Sequence, residues 1–279
     1  MSAPRRTLAL LDHWAAPSVR FRITPRDVAL YALGVGAGEH DLDLLYEGRG
    51  PVVLPTFYTA VAFRLARPLL RRVRGDPARA MFGETSVRMV GEVGPEVTLT
   101  VARTVSTYAI GPLGIAELHF AFEGVADVTL QIFFPGQAHP AARLPPRKPR
   151  SSPPGRAADW RVSLETRRDQ ALLYRLSGDL NPLHVDPDAA ARLPDVTGGR
   201  PILHGLCTLG FVGRAVTMGL GRPPSALHSL SARFARPVWP GDTLVVQGWL
   251  GHPSLRVTTA ARPDEDVLTA VAAGIRAAG

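Results

Sequence analysis

The sequence predicts an α+β protein assembled from two copies of one layered unit. Three observations carry that expectation. The chain of 279 residues suits two units of about 130 residues each. A segment near its start recurs without gaps just past its middle. Each half then runs from a strongly apolar helical stretch into alternating, β-branched sequence, the pattern of a helix packed on a sheet.

The recurring segment is TPRDVALYALGVG, Thr24 to Gly36, matched by TRRDQALLYRLSG, Thr166 to Gly178. Both keep the threonine, the arginine before the aspartate, the aspartate, an Ala-Leu pair and the final glycine. A threonine followed three residues later by an acidic side chain is a helix start of the capping-box type, and Pro25 suits the first helical position. Each copy therefore predicts a helix of about three turns that stops at a glycine. GVGAG, Gly34 to Gly38, follows a helix instead of a strand, so it reads as a glycine-rich turn and not as a dinucleotide fingerprint.

Further along come VLPTFYTAVAF (Val53 to Phe63) and ILHGLCTLGFVGRAV (Ile202 to Val216). Both are apolar nearly all round, as a helix buried on most faces must be. VTLTVARTV, AELHFAF and VTLQIFF follow in the first half, and SARFARPVW, TLVVQGWL and LRVTTAA in the second. These read as strands, with Gly94-Pro95-Glu96 and Pro240-Gly241-Asp242 as turns. Each half is thus a buried helix followed by an antiparallel meander that can wrap it. Between them, PGQAHPAARLPPRKPRSSPPG, Pro135 to Gly155, holds seven prolines and reads as a semi-rigid exposed linker. The expected division is residues 1–135, a linker over 136–158, and residues 159–279. Arg143, Arg147, Lys148 and Arg150 on the linker are either solvated or reach the phosphates of a ligand.

Apolar residues make up 46% of the chain and charged ones 20%, enough for a full core. The net charge of +8 comes almost wholly from arginines spread along the chain, since Lys148 is the single lysine. No basic run is interleaved with aromatics, which argues against nucleic acid, whereas a phosphate-bearing small molecule suits the charge. Cys207 stands alone, so a disulfide framework and a cysteine-based zinc site are excluded and a reducing, cytoplasmic setting is expected. Asp12 and His13 break the apolar stretch near the start too early for a secretory signal, and no run approaches the ~18 apolar residues of a membrane span.

The chemistry concentrates in YRLSGDLNPLHVDPDAA, Tyr174 to Ala190. Pro182 forbids a helix interior and pushes Asn181 toward extended backbone, while Asp186 and Pro187 read as the cap and first position of a new helix. A short stiff loop therefore presents Asp179, Asn181 and His184 together. A carboxylate and an imidazole at one cavity can hold and activate a water, with the amide orienting either neighbour or the substrate. Taken singly, Asp179 also suits a turn cap and His184 a core position.

SGDLNPLHVDP followed by PILHGLCTLGF closely resembles the MaoC-like dehydratases, in particular the two-domain hydratase-2 group of (R)-specific enoyl-CoA hydratases. DVALYALGVGAGEHDLDLLYEG and VLPTF resemble that group's first half, and RFARPVWPGDTL its later strands. The resemblance implies a double hotdog fold, two tandem repeats each with an antiparallel sheet wrapped around a long helix, usually assembled as a homodimer. It implies reversible addition of water to a trans-2-enoyl thioester, carried on CoA or an acyl carrier protein, giving the (R)-3-hydroxyacyl product without metal or redox cofactor. Asp179 and His184 then bind the catalytic water, with Asn181 beside them, and Gly205 supplies the oxyanion N–H. A glycine opening a buried helix suits that role, having a free N–H, no Cβ and a favourable dipole; close helix packing is its other reading. Leu180, Pro182, Leu183, His204, Phe234, Phe82 and Gly83 fall at substrate-binding positions. Met81-Phe82-Gly83-Glu84 resembles a turn in which the group usually carries histidine where Phe82 stands. LPDVTGGRP, Leu193 to Pro201, is about three residues longer than the usual connection, and its two glycines predict flexibility. A thioesterase on the same fold and a noncatalytic acyl-thioester-binding partner subunit are the alternatives.

Overall fold

The computed structural model describes residues 7–77, 80–146 and 152–276. Among these, ten strands form one antiparallel sheet. The first half contributes β1 (Trp14–Ile23), β2 (Met81–Met89), β3 (Val97–Ile110), β4 (Leu113–Phe122) and β5 (Ala126–Pro135). The second contributes β6 (Trp160–Glu165), β7 (Leu227–Phe234), β8 (Thr243–Gly248), β9 (Ser254–Thr259) and β10 (Leu268–Ile275). Their order is β1-β3-β4-β5-β2-β7-β10-β9-β8-β6, so the two halves read identically inward from either edge. The repeat in the sequence is therefore a repeat in the sheet. Its seam is β2 against β7, with Thr85 opposite Ala232 and Ser86 opposite Ser231.

The helices are α1 (Pro25–Gly34), α2 (Leu42–Leu45), α3 (Phe57–Val73), α4 (Gln170–Tyr174), α5 (Pro187–Ala191), α6 (Pro194–Thr197) and α7 (Gly205–Gly219). α3 packs on β2, β4 and β5, and α7 on β6, β7 and β8, giving each half a helix held by its own strands. Every residue of α7 from Leu206 to Thr217 is buried, as a helix apolar on nearly all faces must be, and Arg214 is carried inside with it. α1 opens with the expected capping box: Thr24 Oγ1 accepts from the Asp27 N–H, and the Asp27 carboxylate accepts from the Thr24 N–H.

The second copy departs from the first. Its helix spans only Gln170–Tyr174 and tightens into one 3₁₀ turn before Gly178. Thr166 does not cap it, because its hydroxyl donates to the Asp242 carbonyl (2.7 Å) and accepts from the Gly241 N–H (3.0 Å), fixing the turn after β7. Asp169 instead pairs with Arg167 at 2.8 Å. α3 starts at Phe57, later than expected, and continues past Phe63 to Val73 as an amphipathic segment that buries Ala66, Leu69 and Val73. α7 likewise starts at Gly205 instead of Ile202.

Four strands lie outside the expected meanders. β1 and β6 precede the helices and carry charged, exposed alternate residues, while β10, LTAVAAGI, is built from small side chains with weak strand preference. β2 takes in Met81-Phe82-Gly83-Glu84, so this segment is a strand and not a turn. The register slips between Phe82 and Glu84, where Gly83 makes a bulge.

The linker is anchored at both described ends. Gln137 is buried, its carbonyl accepting from Leu8 and its side-chain oxygen from the Asp76 N–H, while Arg143 pairs with Asp12. Arg156 forks onto Asp159 at 2.7 and 2.8 Å, and its carbonyl accepts from the Trp249 indole. Arg147, Lys148 and Arg150 lie outside the described residues.

The halves also interlock away from the sheet. Gln170 Nε2 donates to the Leu33 and Gly34 carbonyls, and the Cys207 thiol donates to Gly34, so the second half satisfies the C-terminal carbonyls of α1. The GVGAG turn wraps a buried cation: Arg214 of α7 donates to the Val35 carbonyl (3.1 Å) and to Asp41 (2.7 Å). Gly36 there has φ +82°, and a Cβ on it would lie 2.4 Å from the Phe211 ring.

Candidate active site

Gly178, at φ +115°, turns the chain out of the 3₁₀ segment and into the loop of Asp179 to His184. Asn181 adopts extended backbone (φ −59°, ψ 123°) ahead of Pro182, as its proline neighbour requires. Pro182 opens a single 3₁₀ turn, Pro182–His184, and the Asn181 side-chain oxygen accepts from the Leu183 N–H at 3.1 Å. The Asn181 N–H donates to Asp179 Oδ1 at 3.2 Å. Asn181 is itself exposed, so what it gives the site runs through its backbone and through the turn it caps. Asp186 then caps α5 by accepting from the Asp188 N–H, and the loop is fixed at both ends.

His184 lies half-buried with Nδ1 2.9 Å from the Ile202 carbonyl. A carbonyl can only accept, so Nδ1 carries the proton and Nε2 is left as the nitrogen able to accept one. The His204 ring stacks on His184 with centroids 3.8 Å apart and planes inclined by 28°. By the same reasoning, His204 Nε2, 3.2 Å from the Asp179 backbone carbonyl, is a donor. His204 is 1% exposed and immediately precedes Gly205, so one side chain braces the base loop, the imidazole and the start of α7.

Asp179, His184 and His204 each bring one ligand-type atom to within 4.8 Å of the others. Those are the groups through which a metal would be held, or a water. Burial raises the Asp179 carboxyl above the usual carboxylate range, against the opposing pull of His184, the Asn181 N–H and Arg67. Burial likewise lowers His184, against the pull of Asp179 and the Ile202 carbonyl. The two affinities for a proton are thus driven toward each other, which is what proton exchange between a carboxyl and an imidazole needs. Burial, then the charge of His184, pushes His204 down to about 2, so it stays neutral. Cys207 is fully buried and its thiol is raised well above normal by desolvation, which leaves it inert as a nucleophile.

Gly205 opens α7, and no side chain caps that end. Its N–H belongs to the first turn, which lacks partners within the helix. A Cβ on Gly205 would lie 2.9 Å from Cδ1 and Cε1 of Phe234, so close packing favours glycine here, at a position whose N–H is also bare. Phe234, at the end of β7, meets the edge of Phe82 on β2 (5.3 Å between centroids), and Phe82 meets Phe63 on α3 (5.5 Å). These three half-buried rings make an apolar wall from Gly205 into the first half. Gly83 is buried beneath Phe133, whose ring would be 2.4 Å from an added Cβ, so it shapes the strand under the wall and does not line it. Leu183 is half-buried, whereas Leu180 and Pro182 lie exposed on the outer side of the loop.

The long connection from Leu193 to Pro201 carries local structure of its own. It forms α6, buries Thr197 with its hydroxyl on the Ala190 and Leu193 carbonyls, and receives the Trp239 indole N–H on the Thr197 carbonyl at 2.9 Å. Gly198 and Gly199 (φ +66° and +80°) turn it back beneath Trp239, which Arg200 covers at 4.6 Å.

Three participants escape the sequence reading. Phe63 and Arg67 stand on the part of α3 at or beyond the end assigned to it, and Tyr174 packs 4.9 Å from His204. The spacing of arginines 64, 67 and 71 was the available signal for continuing that helix.

Residues 150–261 match the MaoC like domain, and residues 21–109 match the MFE-2 hydratase 2 N-terminal domain. The chain is 35% identical over 250 residues to 3-hydroxyacyl-thioester dehydratase Y of Mycobacterium tuberculosis, covering 85% of each. It is 30% identical over 289 residues to enoyl-CoA hydratase 2, peroxisomal, of Arabidopsis thaliana, covering 86% of each. Among solved structures, full-length peroxisomal multifunctional enzyme type 2 of Drosophila melanogaster superposes with a TM-score of 0.75 at 29% identity, covering 93% of this chain and 48% of that longer one. A MaoC-like dehydratase from Phytophthora capsici shares the fold at a TM-score of 0.82 and 24% identity, covering 97% of this chain and 98% of its own. With both halves matched and the site loop set at the mouth of the second hotdog helix, this chain belongs to the MaoC-like dehydratases of the two-domain hydratase 2 type.

Proposed function

We propose that the protein catalyses the reversible hydration of trans-2-enoyl-CoA to (R)-3-hydroxyacyl-CoA. The observation that carries this reading is the convergence of Asp179 and His184 with His204, the residue just before Gly205, and the packing of Gly205 on Phe234 and so on Phe82. A water held between the Asp179 carboxylate and His184 Nε2 gives one proton to the carboxylate as its oxygen bonds the β-carbon. The displaced electron pair moves through the α-carbon to the thioester oxygen, where the Gly205 N–H and the α7 dipole stabilise the enolate. The proton taken up by Asp179 then passes by way of His184 Nε2 to the α-carbon, which restores the carboxylate, so that H and OH of one water are added overall and nothing is oxidised. One such preorganised donor lowers a barrier by roughly 3 kcal/mol. His204 supports the geometry without exchanging a proton. The acyl chain follows the aromatic wall into the first half. A homodimeric assembly and a cytoplasmic setting complete the reading, supported by the family resemblance and by the single, unpaired cysteine.

The test follows loss of the conjugated enoyl absorbance and release of free thiol for short and medium trans-2-enoyl-CoA, with Asp179→Asn as control. Loss of absorbance without thiol, giving the (R)-alcohol and abolished in the variant, is the expected result. Thiol release would replace hydration with thioester hydrolysis.

A further inference from the structure

Past Phe63, α3 turns Arg64, Arg67 and Arg71 toward solvent at helical spacings of three and four, and Arg74, exposed, caps its end. The stripe begins at the candidate active site. Cδ and Cγ of Arg64 lie 2.3 and 2.4 Å from where a Cβ on Gly178 would stand, and the charge of Arg67 acts on the Asp179 carboxylate. From there it runs outward for about 15 Å at the usual rise per residue.

Many other arginines are compensated. Arg22, Arg88, Arg156, Arg167, Arg214, Arg256 and Arg276 all meet carboxylates. Arg67, Arg71 and Arg74 form no ion pair among the described residues, and Arg64 rests over the Phe21 ring at 5.3 Å. A row of unneutralised guanidinium groups leading out of a buried site costs self-repulsion, and an anionic ligand lying along it relieves that cost.

We infer that this stripe is the docking track for the coenzyme A portion of the substrate, with Arg71 and Arg74 at its outer end on the phosphates. The inference rests on the hydratase reading and gives that site its anion-binding element. A thioester reacting beside Asp179 must send its pantetheine arm outward before the phosphates are reached, so they fall at the far end of the stripe. Charge complementarity favours coenzyme A over a carrier protein. CoA packs a diphosphate and a 3′-phosphate into one small headgroup, matched to a short row of guanidinium forks, whereas a carrier protein brings a single phosphodiester.

The test measures kinetics of wild type, Arg71→Glu and the double variant Arg71→Gln/Arg74→Gln. Substrates are enoyl thioesters of CoA, 3′-dephospho-CoA, 4′-phosphopantetheine, pantetheine and a carrier protein. For Arg71→Glu the expected result is a KM for enoyl-CoA raised about tenfold with kcat within about twofold, and an unchanged pantetheine thioester. The advantage of CoA over pantetheine should also shrink as salt is raised. An equal loss on pantetheine would make the arginines merely structural, and an unmoved KM for CoA would place the phosphates elsewhere. Loss confined to the carrier-protein thioester would make a protein face the occupant; both of the last two results overturn the assignment. Calorimetric titration of CoA itself reads the stripe independently of turnover. If wild type hydrates nothing but binds CoA, and Arg71→Glu binds it about tenfold more weakly, the stripe stands while the hydratase reading falls; equal binding by both overturns the stripe.

Discussion

Gly205 sits where two demands coincide, and substituting alanine separates them. An added Cβ would stand 2.9 Å from two carbons of the Phe234 ring, against about 3.5–4.0 Å for a relaxed carbon contact, so ring and helix start must part by roughly 0.5–1 Å. Overpacking of this kind costs about 1–3 kcal/mol in stability. The larger effect is on the reaction, because the Gly205 N–H moves with the helix start and a misplacement of about 1 Å costs on the order of a hundredfold in rate. Gly205→Ala should therefore lower kcat about a hundredfold, with KM changed only about threefold, since an oxyanion donor acts mainly in the transition state. Phe234→Val in the same chain removes both contacted ring carbons, Cδ1 and Cε1, and should restore kcat at least tenfold relative to Gly205→Ala alone. The assay is the full double-variant cycle on one enoyl-CoA, with melting temperatures measured in parallel. A Gly205→Ala enzyme of near wild-type kcat would refute the argument. So would a double variant that regains stability but no activity, which would show that Cβ itself blocks the thioester.

Other consequences are as direct. His204→Phe keeps a ring against His184 but leaves the Asp179 carbonyl without its donor; kcat should fall about tenfold or more, while His204→Gln, which can reach that carbonyl, recovers part of it. Burial raises the Asp179 carboxyl, so ionising it opposes folding as pH climbs from the ordinary carboxylate value through the folded one. Asp179→Asn should consequently melt above wild type at neutral pH and together with it below about pH 4; a lower melting point at pH 7 would contradict the assigned burial cost. His204 works in the opposite direction: its depressed affinity means the unfolded chain binds the extra proton, so stability should fall as pH drops below about 6.5, and less so in His204→Phe. Arg214→Met leaves Asp41 partly buried without its partner and should cost about 1–3 kcal/mol in denaturant unfolding.

The sequence was most informative where local chemistry acts alone. Thr24, Pro25 and Asp27 form their capping box, Asp186 and Pro187 start α5, and Asn181-Pro182 stiffens the loop of Asp179 and His184, because each arrangement is settled within a few residues. It was least informative where a distant group takes over. Thr166 has the same local chemistry as Thr24, but its hydroxyl is claimed by the turn at Gly241 and Asp242, and the helix it should have capped begins later and stays short. Gly198 and Gly199 suggest mobility until Trp239 donates to Thr197 and folds the connection down. β10 and β2 are invisible as isolated strings, one for its small side chains and the other for the bulge at Gly83, and they exist because neighbouring strands pair with them. His204 illustrates the same limit at the site: sequence places it beside Gly205, while only the stacking on His184 and the bond to the Asp179 carbonyl reveal that it braces the loop of Asp179 and His184.

The buried pair of Arg214 and Asp41 acquires a different meaning once the two halves are compared. Gly36 and Gly178 end equivalent segments, and each is overlaid by an arginine from the opposite half, Arg214 for one and Arg64 for the other. At Gly178 the arginine stays in solvent and the following loop carries an acid and an imidazole. At Gly36 it is drawn inside, neutralised, and riveted to the loop. The same architecture thus leaves one glycine turn open to solvent and fills its counterpart with a buried ion pair that fastens the repeats together.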